Sequence, residues 1–193
     1  MDLFTQFHAP SSAPLAERLR PTHMQSFLGQ EHILAKYSSI LKQFQEGHWI
    51  SLILWGPPGC GKTSFVKALS PYFSKAEYVE ENAIDLGTKR LKEIGESARY
   101  NKVSQNKPTV LFIDEIHRLN RGQQDVLLPF VERGDLVLMG ATTENPSYEL
   151  NSSLISRCRV LVLQPLDKAS LKTLLHRGCE GLELKCEDLF PPE

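Results

Sequence analysis

The residues of this chain best suited to chemistry are Gly56-Pro57-Pro58-Gly59-Cys60-Gly61-Lys62-Thr63, preceded by the apolar run Ile50–Trp55 and followed by Ser64. A buried strand that breaks into a glycine-rich turn and resumes as a helix is the setting of a phosphate-binding loop. Glycines at 56, 59 and 61 let the backbone curl with its N–H groups inward, where side chains would obstruct an anion. Lys62 supplies a point charge for the β- and γ-phosphates, and the Thr63 hydroxyl is a candidate Mg²⁺ ligand. The helix expected from Lys62 to about Ser70, stopped by Pro71, turns its positive end toward the same anion. The spacing of glycine, four residues, glycine, lysine and threonine behind a hydrophobic strand predicts nucleoside triphosphate binding, with Gly56 through Ser64 as the contacts.

A second concentration of chemistry is Asp114-Glu115, at the end of Thr109-Val110-Leu111-Phe112-Ile113. Four apolar residues followed by two acids describe a fully buried strand that delivers carboxylates at its carboxyl end, where open α/β sheets bind ligands. Asp114 is the candidate Mg²⁺ ligand beside Thr63, and Glu115 is placed to polarise the water that attacks the γ-phosphorus. A small-molecule kinase on the same loop needs an acceptor pocket instead of a water-polarising acid, so the pair argues against that class. The polar cluster Thr143-Glu144-Asn145-Pro146-Ser147 follows the strand Leu136–Thr142 and belongs to the same edge. A short helix over Asn151–Ser156 is expected to carry Arg157 on that edge too.

These groups need an alternation of strands and helices to hold them. Besides those named, the pattern predicts strands near Glu77–Glu80 and over Val160–Gln164, and helices over Thr88–Lys102 and Gly122–Glu132. A helix starting near Gln30 places Ile33, Leu34, Tyr37, Ile40, Leu41 and Phe44 on one face before Gly47 ends it. Another follows Asp167, with Leu171, Leu174 and Leu175 sharing a face. The fold class is α/β with a parallel sheet.

Composition sets bounds. A length of 193 residues with 41% hydrophobic content suits one globular domain with room for the start of a second, and a net charge of −1 argues against a protein that coats nucleic acid. No apolar stretch reaches membrane-spanning length, so no membrane contact is expected. Four cysteines without metal-ligand spacing, behind no signal peptide, read as reduced thiols in a cytoplasmic protein. Cys60, between Lys62 and a helix amino terminus, is expected to be the most alkylation-sensitive of them. Lys89, Arg90, Lys92, Arg99, Lys102 and Lys107 alternate with Glu93 and Glu96, which reads first as an ion-paired exposed helix and second as a DNA contact. Trp55 reads as core, and His117 either touches the Thr143 segment or is a solvated loop side chain.

Gly56–Thr63 and Ile113-Asp114-Glu115 fit many phosphate-loop ATPases. Together with Arg20-Pro21, Gly29-Gln30, Gly140–Thr143 and Ser156-Arg157-Cys158, they resemble the AAA+ group that contains clamp loaders and the RuvB branch-migration motor. The longer strings Leu52–Thr63, Leu111–Arg118, Gln123-Gln124-Asp125, Gly140–Ser147 and Leu154–Val160 are similar to the RarA (MgsA) family of replication-associated recombination ATPases. The Werner helicase-interacting protein is the eukaryotic relative of that family, and the resemblance covers about residues 14–175. It implies a P-loop fold with a five-stranded parallel sheet flanked by helices, the Gly56 strand lying beside the Asp114 and Thr142 strands. It implies ATP and Mg²⁺ as ligands, Thr143 as the first sensor of the γ-phosphate, and Arg157 as an arginine finger reaching a neighbouring subunit's nucleotide. Gln30, with Arg20-Pro21, falls on the segment that walls the adenine.

The implied partners are single-stranded or gapped DNA, further copies of the chain, and single-strand-binding protein or a sliding clamp. Leu3-Phe4 is like the hydrophobic end of clamp-docking peptides but lacks the glutamine that usually precedes it. The expected division is a flexible lead-in over 1–14, an AAA+ ATPase core over 15–165 and the start of a helical lid over 166–193. The family continues into a lid with a second sensor arginine and an assembling region, and nothing after His176 matches that arginine. A nucleotide-gated binding or assembly module without efficient turnover is therefore the second reading beside an ATPase for replication-fork maintenance.

Overall fold

The computed structural model describes residues 14–36, 38–182 and 184, without the side chains of 34–36 and 38–39. Leu3-Phe4, Tyr37 and the side chain of Leu34 lie outside the described residues. Two compact units divide the chain. One spans Pro21–Asp167, and the other joins the residues up to Arg20 with those from Lys168 onward.

The larger unit is built on five strands: β1 (Leu52–Trp55), β2 (Glu77–Asn82), β3 (Thr109–Asp114), β4 (Leu136–Thr142) and β5 (Arg159–Val162). Their spatial order is β2-β3-β4-β1-β5, and every pairing is parallel. The expected parallel five-stranded sheet is present, but one neighbour relation differs from expectation. Leu52 pairs with Met139 of β4 on one side and Arg159 of β5 on the other, so β4 separates the Gly56 strand from the Asp114 strand. Crossovers between parallel strands can pass over neighbouring positions, as those from β1 to β2 and from β4 to β5 do here, so chain order does not dictate spatial order.

The inner strands are apolar throughout because helices cover both faces. Leu52, Leu54, Val110 and Phe112 point to one face, where they meet Ile33, Ile40, Phe44, Phe65 and Leu69. Ile53, Leu111 and Ile113, one residue out of step, point to the other and meet Leu91, Ile94, Ala98, Leu127 and Phe130. The first face is covered by α2 (Glu31–Lys36), α3 (Ser38–Gln45) and α4 (Lys62–Leu69). At the end of α3 the N–H groups of Gly47 and His48 donate to Phe44 O and Gln43 O, at 3.1 and 2.8 Å, closing the helix as Gly47 predicted.

The second face is covered by α5 (Thr88–Gln105) and α6 (Arg121–Glu132). Asn120 caps α6 through a reciprocal pair with Gln123, which starts the helix one residue before the expected Gly122. Gly95 lets these two helices meet. A Cβ at that position would lie 2.2–2.5 Å from three atoms of the Phe130 ring. Gly95→Ala should therefore lower stability by about 1–3 kcal/mol through overpacking. Urea unfolding would show this as a lower midpoint at constant slope, and an unchanged midpoint would refute the contact.

In the smaller unit, α1 (Leu15–Arg18) and α9 (Lys168–Gly181) are linked where Arg18 Nη2 donates to Gly181 O at 3.2 Å. A Cβ at Gly181 would stand 3.3 Å from Leu19, so the small residue permits the approach. Of the face expected on α9, Leu174 is half-buried while Leu171 and Leu175 are exposed. Cys179 is disulfide-bonded, contrary to the expectation of four reduced thiols, whereas Cys60 and Cys158 are free. The spacing of cysteines alone leaves their pairing open.

Candidate nucleotide-binding site

The parallel sheet sends the ends of β1, β3 and β4 to one edge, and there the phosphate loop joins β1 to α4. Gly56 continues the ladder by donating its N–H to Thr142 O at 3.2 Å. A Cβ on Gly56 would meet Leu163 O at 2.5 Å and Cys60 Sγ at 2.9 Å, so no larger residue fits where the loop leaves the sheet. Gly61, at φ +97°, takes the left-handed turn from which α4 starts.

Lys62 is buried, and its Nζ donates to the loop's own carbonyls, Gly56 O at 2.8 Å and Pro57 O at 3.0 Å. No carboxylate pairs with it among the described residues. A buried ammonium held by neutral acceptors suits an anion, because a buried charge is costly until an opposite charge joins it. Gln30 lies behind the loop, itself buried. Its Nε2 donates to Cys60 O and Gln164 O at 3.2 and 2.6 Å, and its Oε1 accepts from Gln164 N at 2.9 Å. The amide of Gln30 thus staples the loop to the end of β5.

Cys60 departs from expectation. Its side chain is buried against Gly56, and burial pushes the thiol up against the opposing pull of the Lys62 charge and of backbone N–H groups. Burial of the thiol outweighs proximity to the cation. In the native, nucleotide-free protein Cys60 should resist iodoacetamide and react only on unfolding, as peptide mass spectrometry can check. Rapid native labelling would contradict its burial. Cys158, whose thiol burial pushes up to about 12, should resist in the same way.

Of the two acids at the carboxyl end of β3, Asp114 meets the start of α4. Thr63 Oγ1 donates to Asp114 Oδ2 at 3.0 Å, and the Glu115 N–H donates to Asp114 Oδ1 at 3.0 Å. Glu115 has φ +53°, a left-handed backbone that turns the chain sharply out of β3. Its Oε2 lies 3.3 Å from His117 Nδ1, and the same nitrogen lies 3.1 Å from Thr142 Oγ1. Of the two readings of His117, contact with the β4 end is the one observed: its side chain is only 8% exposed. Thr142, the neighbour of the expected sensor Thr143, is fully buried, and its hydroxyl accepts from Glu144 N at 3.0 Å. Strand alternation could have signalled it, because the residue before an exposed strand end points the other way. Thr143 follows it on the same edge, half-buried.

Thr63 and Asp114 converge on one point and suit a shared Mg²⁺. Among the described residues no group of three or more His, Cys, Asp or Glu could hold a metal, so phosphate oxygens would have to complete the shell.

Arg157 lies elsewhere, which corrects its expected place on the ligand edge. Residues 143–158 carry the chain from the end of β4 back to the start of β5, through α7 (Pro146–Glu149) and α8 (Ser152–Ile155). Arg159 pairs with Leu52, the first residue of β1, so Arg157 sits at the amino edge of the sheet. The length of β1, roughly 13 Å at 3.3 Å per residue, separates that edge from the phosphate loop. There Arg157 Nη2 pairs with Glu132 Oε1 at 2.7 Å, and Nη1 donates to Ser153 O and Ser156 Oγ at 2.9 and 2.8 Å. Of the basic run, Arg90, Lys92, Lys102 and Lys107 pair with Glu81, Glu96, Asp135 and Glu77, in keeping with the first reading of that stretch.

The model of the AAA family, the ATPase family associated with various cellular activities, matches residues 52–166. ATPase WRNIP1 of Dictyostelium discoideum is 47% identical over 178 residues, covering 91% of this chain and 20% of that protein. Replication-associated recombination protein A of Escherichia coli K12 is 40% identical over 179 residues, covering 93% of this chain and 40% of that protein. Among solved structures, the Thermotoga maritima RuvB Holliday junction branch migration motor superposes with a TM-score of 0.70 at 28% identity, covering 86% of this chain and 56% of that one. The chain thus spans between a fifth and two fifths of the length of these curated relatives. With the family match running from β1 past β5, this chain belongs to the AAA family of ATPases.

Proposed function

We propose that this chain is the ATP-binding core of an AAA+ machine acting on DNA during replication-fork maintenance and recombination, and that it hydrolyses ATP when copies assemble. The observation that carries the reading is Lys62, a buried cation without a counter-ion among the described residues, at the mouth of a glycine-rich loop. Phosphates replace the Gly56 and Pro57 carbonyls as its partners, while loop N–H groups and the start of α4 receive the remaining oxygens. Thr63 and Asp114 would hold Mg²⁺, which when bound neutralises charge on the β- and γ-phosphates. Glu115 orients the attacking water, and Thr143 stands beside the transferred group as sensor.

The relatives, a replication-associated recombination protein and a Holliday junction branch migration motor, support DNA as the object of the cycle. Single-strand-binding protein or a sliding clamp belongs to the same reading as a partner. Titration calorimetry with Mg-ATP tests its foundation. Absence of ATP binding by the unaltered chain would end it.

A nucleotide-gated binding module without turnover is the second reading. It is favoured by the place of Arg157, which leaves one chain without that cation at its own loop. Phosphate release measured across a concentration series separates the two. A rate that rises with assembly supports the ATPase, and binding without release at any concentration supports the module.

A further inference from the structure

The hydrogen bonds at the carboxyl edge form a closed circuit. From the start of the phosphate loop, Gly56 N–H reaches Thr142 O; Thr142 Oγ1 meets His117 Nδ1, which also faces Glu115 Oε2. The Glu115 N–H then reaches Asp114 Oδ1, and Asp114 Oδ2 accepts from Thr63 Oγ1 on the first turn of α4. Among the described residues one link fixes the Glu115 carboxylate, and that link is His117. Glu115 otherwise ends in a carboxylate 37% exposed, on a left-handed backbone, with several rotamers open to it. The imidazole, by contrast, is enclosed and bonded on the strand beside it.

We propose that His117 is a positioning residue that ties the Glu115 carboxylate to the Thr142 end of β4. The inference rests on the reading of Glu115 as the water-orienting acid. A carboxylate only accepts hydrogen bonds, so Nδ1 must carry a proton to serve Glu115. The Thr142 hydroxyl can then accept a share of the same N–H, while its own proton goes to Glu144 O at 3.1 Å. Because Thr142 adjoins the segment 143–158 that leads to Arg157, movement of that segment would reach Glu115 through this one ring.

Two measurements test the proposal on the whole chain. The first is ¹⁵N NMR of the His117 ring without nucleotide, which should show a proton on Nδ1; a bare Nδ1 would overturn the proposal outright. The second is single-turnover hydrolysis of Mg-ATP alongside ATP affinity. His117→Ala should lower the rate by about 10–10²-fold, the scale of a misplaced catalytic group, and leave affinity unchanged. His117→Asn, which sets an amide N–H where Nδ1 stands, should recover much of that loss. A fall in affinity equal to the fall in rate, an unchanged rate in His117→Ala, or no recovery by asparagine would each overturn the positioning role. Glu115→Gln run in parallel separates the two ideas. If it too leaves the rate unchanged, the reading of Glu115 has failed; if it alone abolishes turnover, only the role of His117 has.

Discussion

Arg157→Ala in the assembled protein should leave ATP binding intact and lower turnover by roughly 10³–10⁵-fold, the range an arginine supplied to a γ-phosphate accounts for. The size of the effect follows from where Arg157 stands. At the amino edge of the sheet it stands away from the loop of its own chain, so in the proposed assembly it would serve another's. Its present partner does not hold it firmly. Arg157 and Glu132 are 41% and 38% exposed, and such surface pairs contribute about 0–1 kcal/mol. A desolvated phosphate of a second copy would displace Glu132 at little cost. Mixing Arg157→Ala with Glu115→Gln should restore partial phosphate release, since intact finger and intact acid can then meet across one interface. The chain as a strict monomer should bind ATP and turn it over slowly. Sustained hydrolysis by such a monomer, insensitive to Arg157→Ala, would sink the proposal.

The second large effect divides binding from chemistry. Lys62→Ala should weaken ATP binding by about 10–10²-fold, matching the 1.5–3 kcal/mol of hydrogen bonds to charged groups. On the proposed reading the Lys62 ammonium would touch phosphate in the ground state as well as the transition state, so its loss would appear in affinity. Glu115→Gln should keep affinity and lose about 10²–10⁴ in rate, the usual contribution of a positioned base. Calorimetry reads the first and phosphate release the second. Unchanged ATP affinity in Lys62→Ala would refute the assignment of the loop.

The phosphate loop was legible in the amino-acid order because its geometry is local. Gly56, Gly59, Gly61, Lys62 and Thr63 lie within one strand-to-helix turn, so their spacing along the chain already describes the turn. Asp114 and Glu115 were legible for a related reason: an unbroken apolar run ending in two acids has few placements besides a central strand with its carboxyl end outward. What could not be read locally were relations across the sheet. The interval between Thr142 and Arg157 does not say whether the chain stays at one edge or crosses to the other. The pairing of Arg159 with Leu52 decides that it crosses. Likewise β4 lies between β1 and β3 because parallel crossovers skip positions, which strand composition does not record. Cys60 is near Lys62 in sequence and in space, yet burial beside Gly56, which closes against Leu163 from β5's end, governs its thiol. His117 acquires its role from Thr142, a residue of the neighbouring strand, and a hydrogen bond between strands exists only once their register is set.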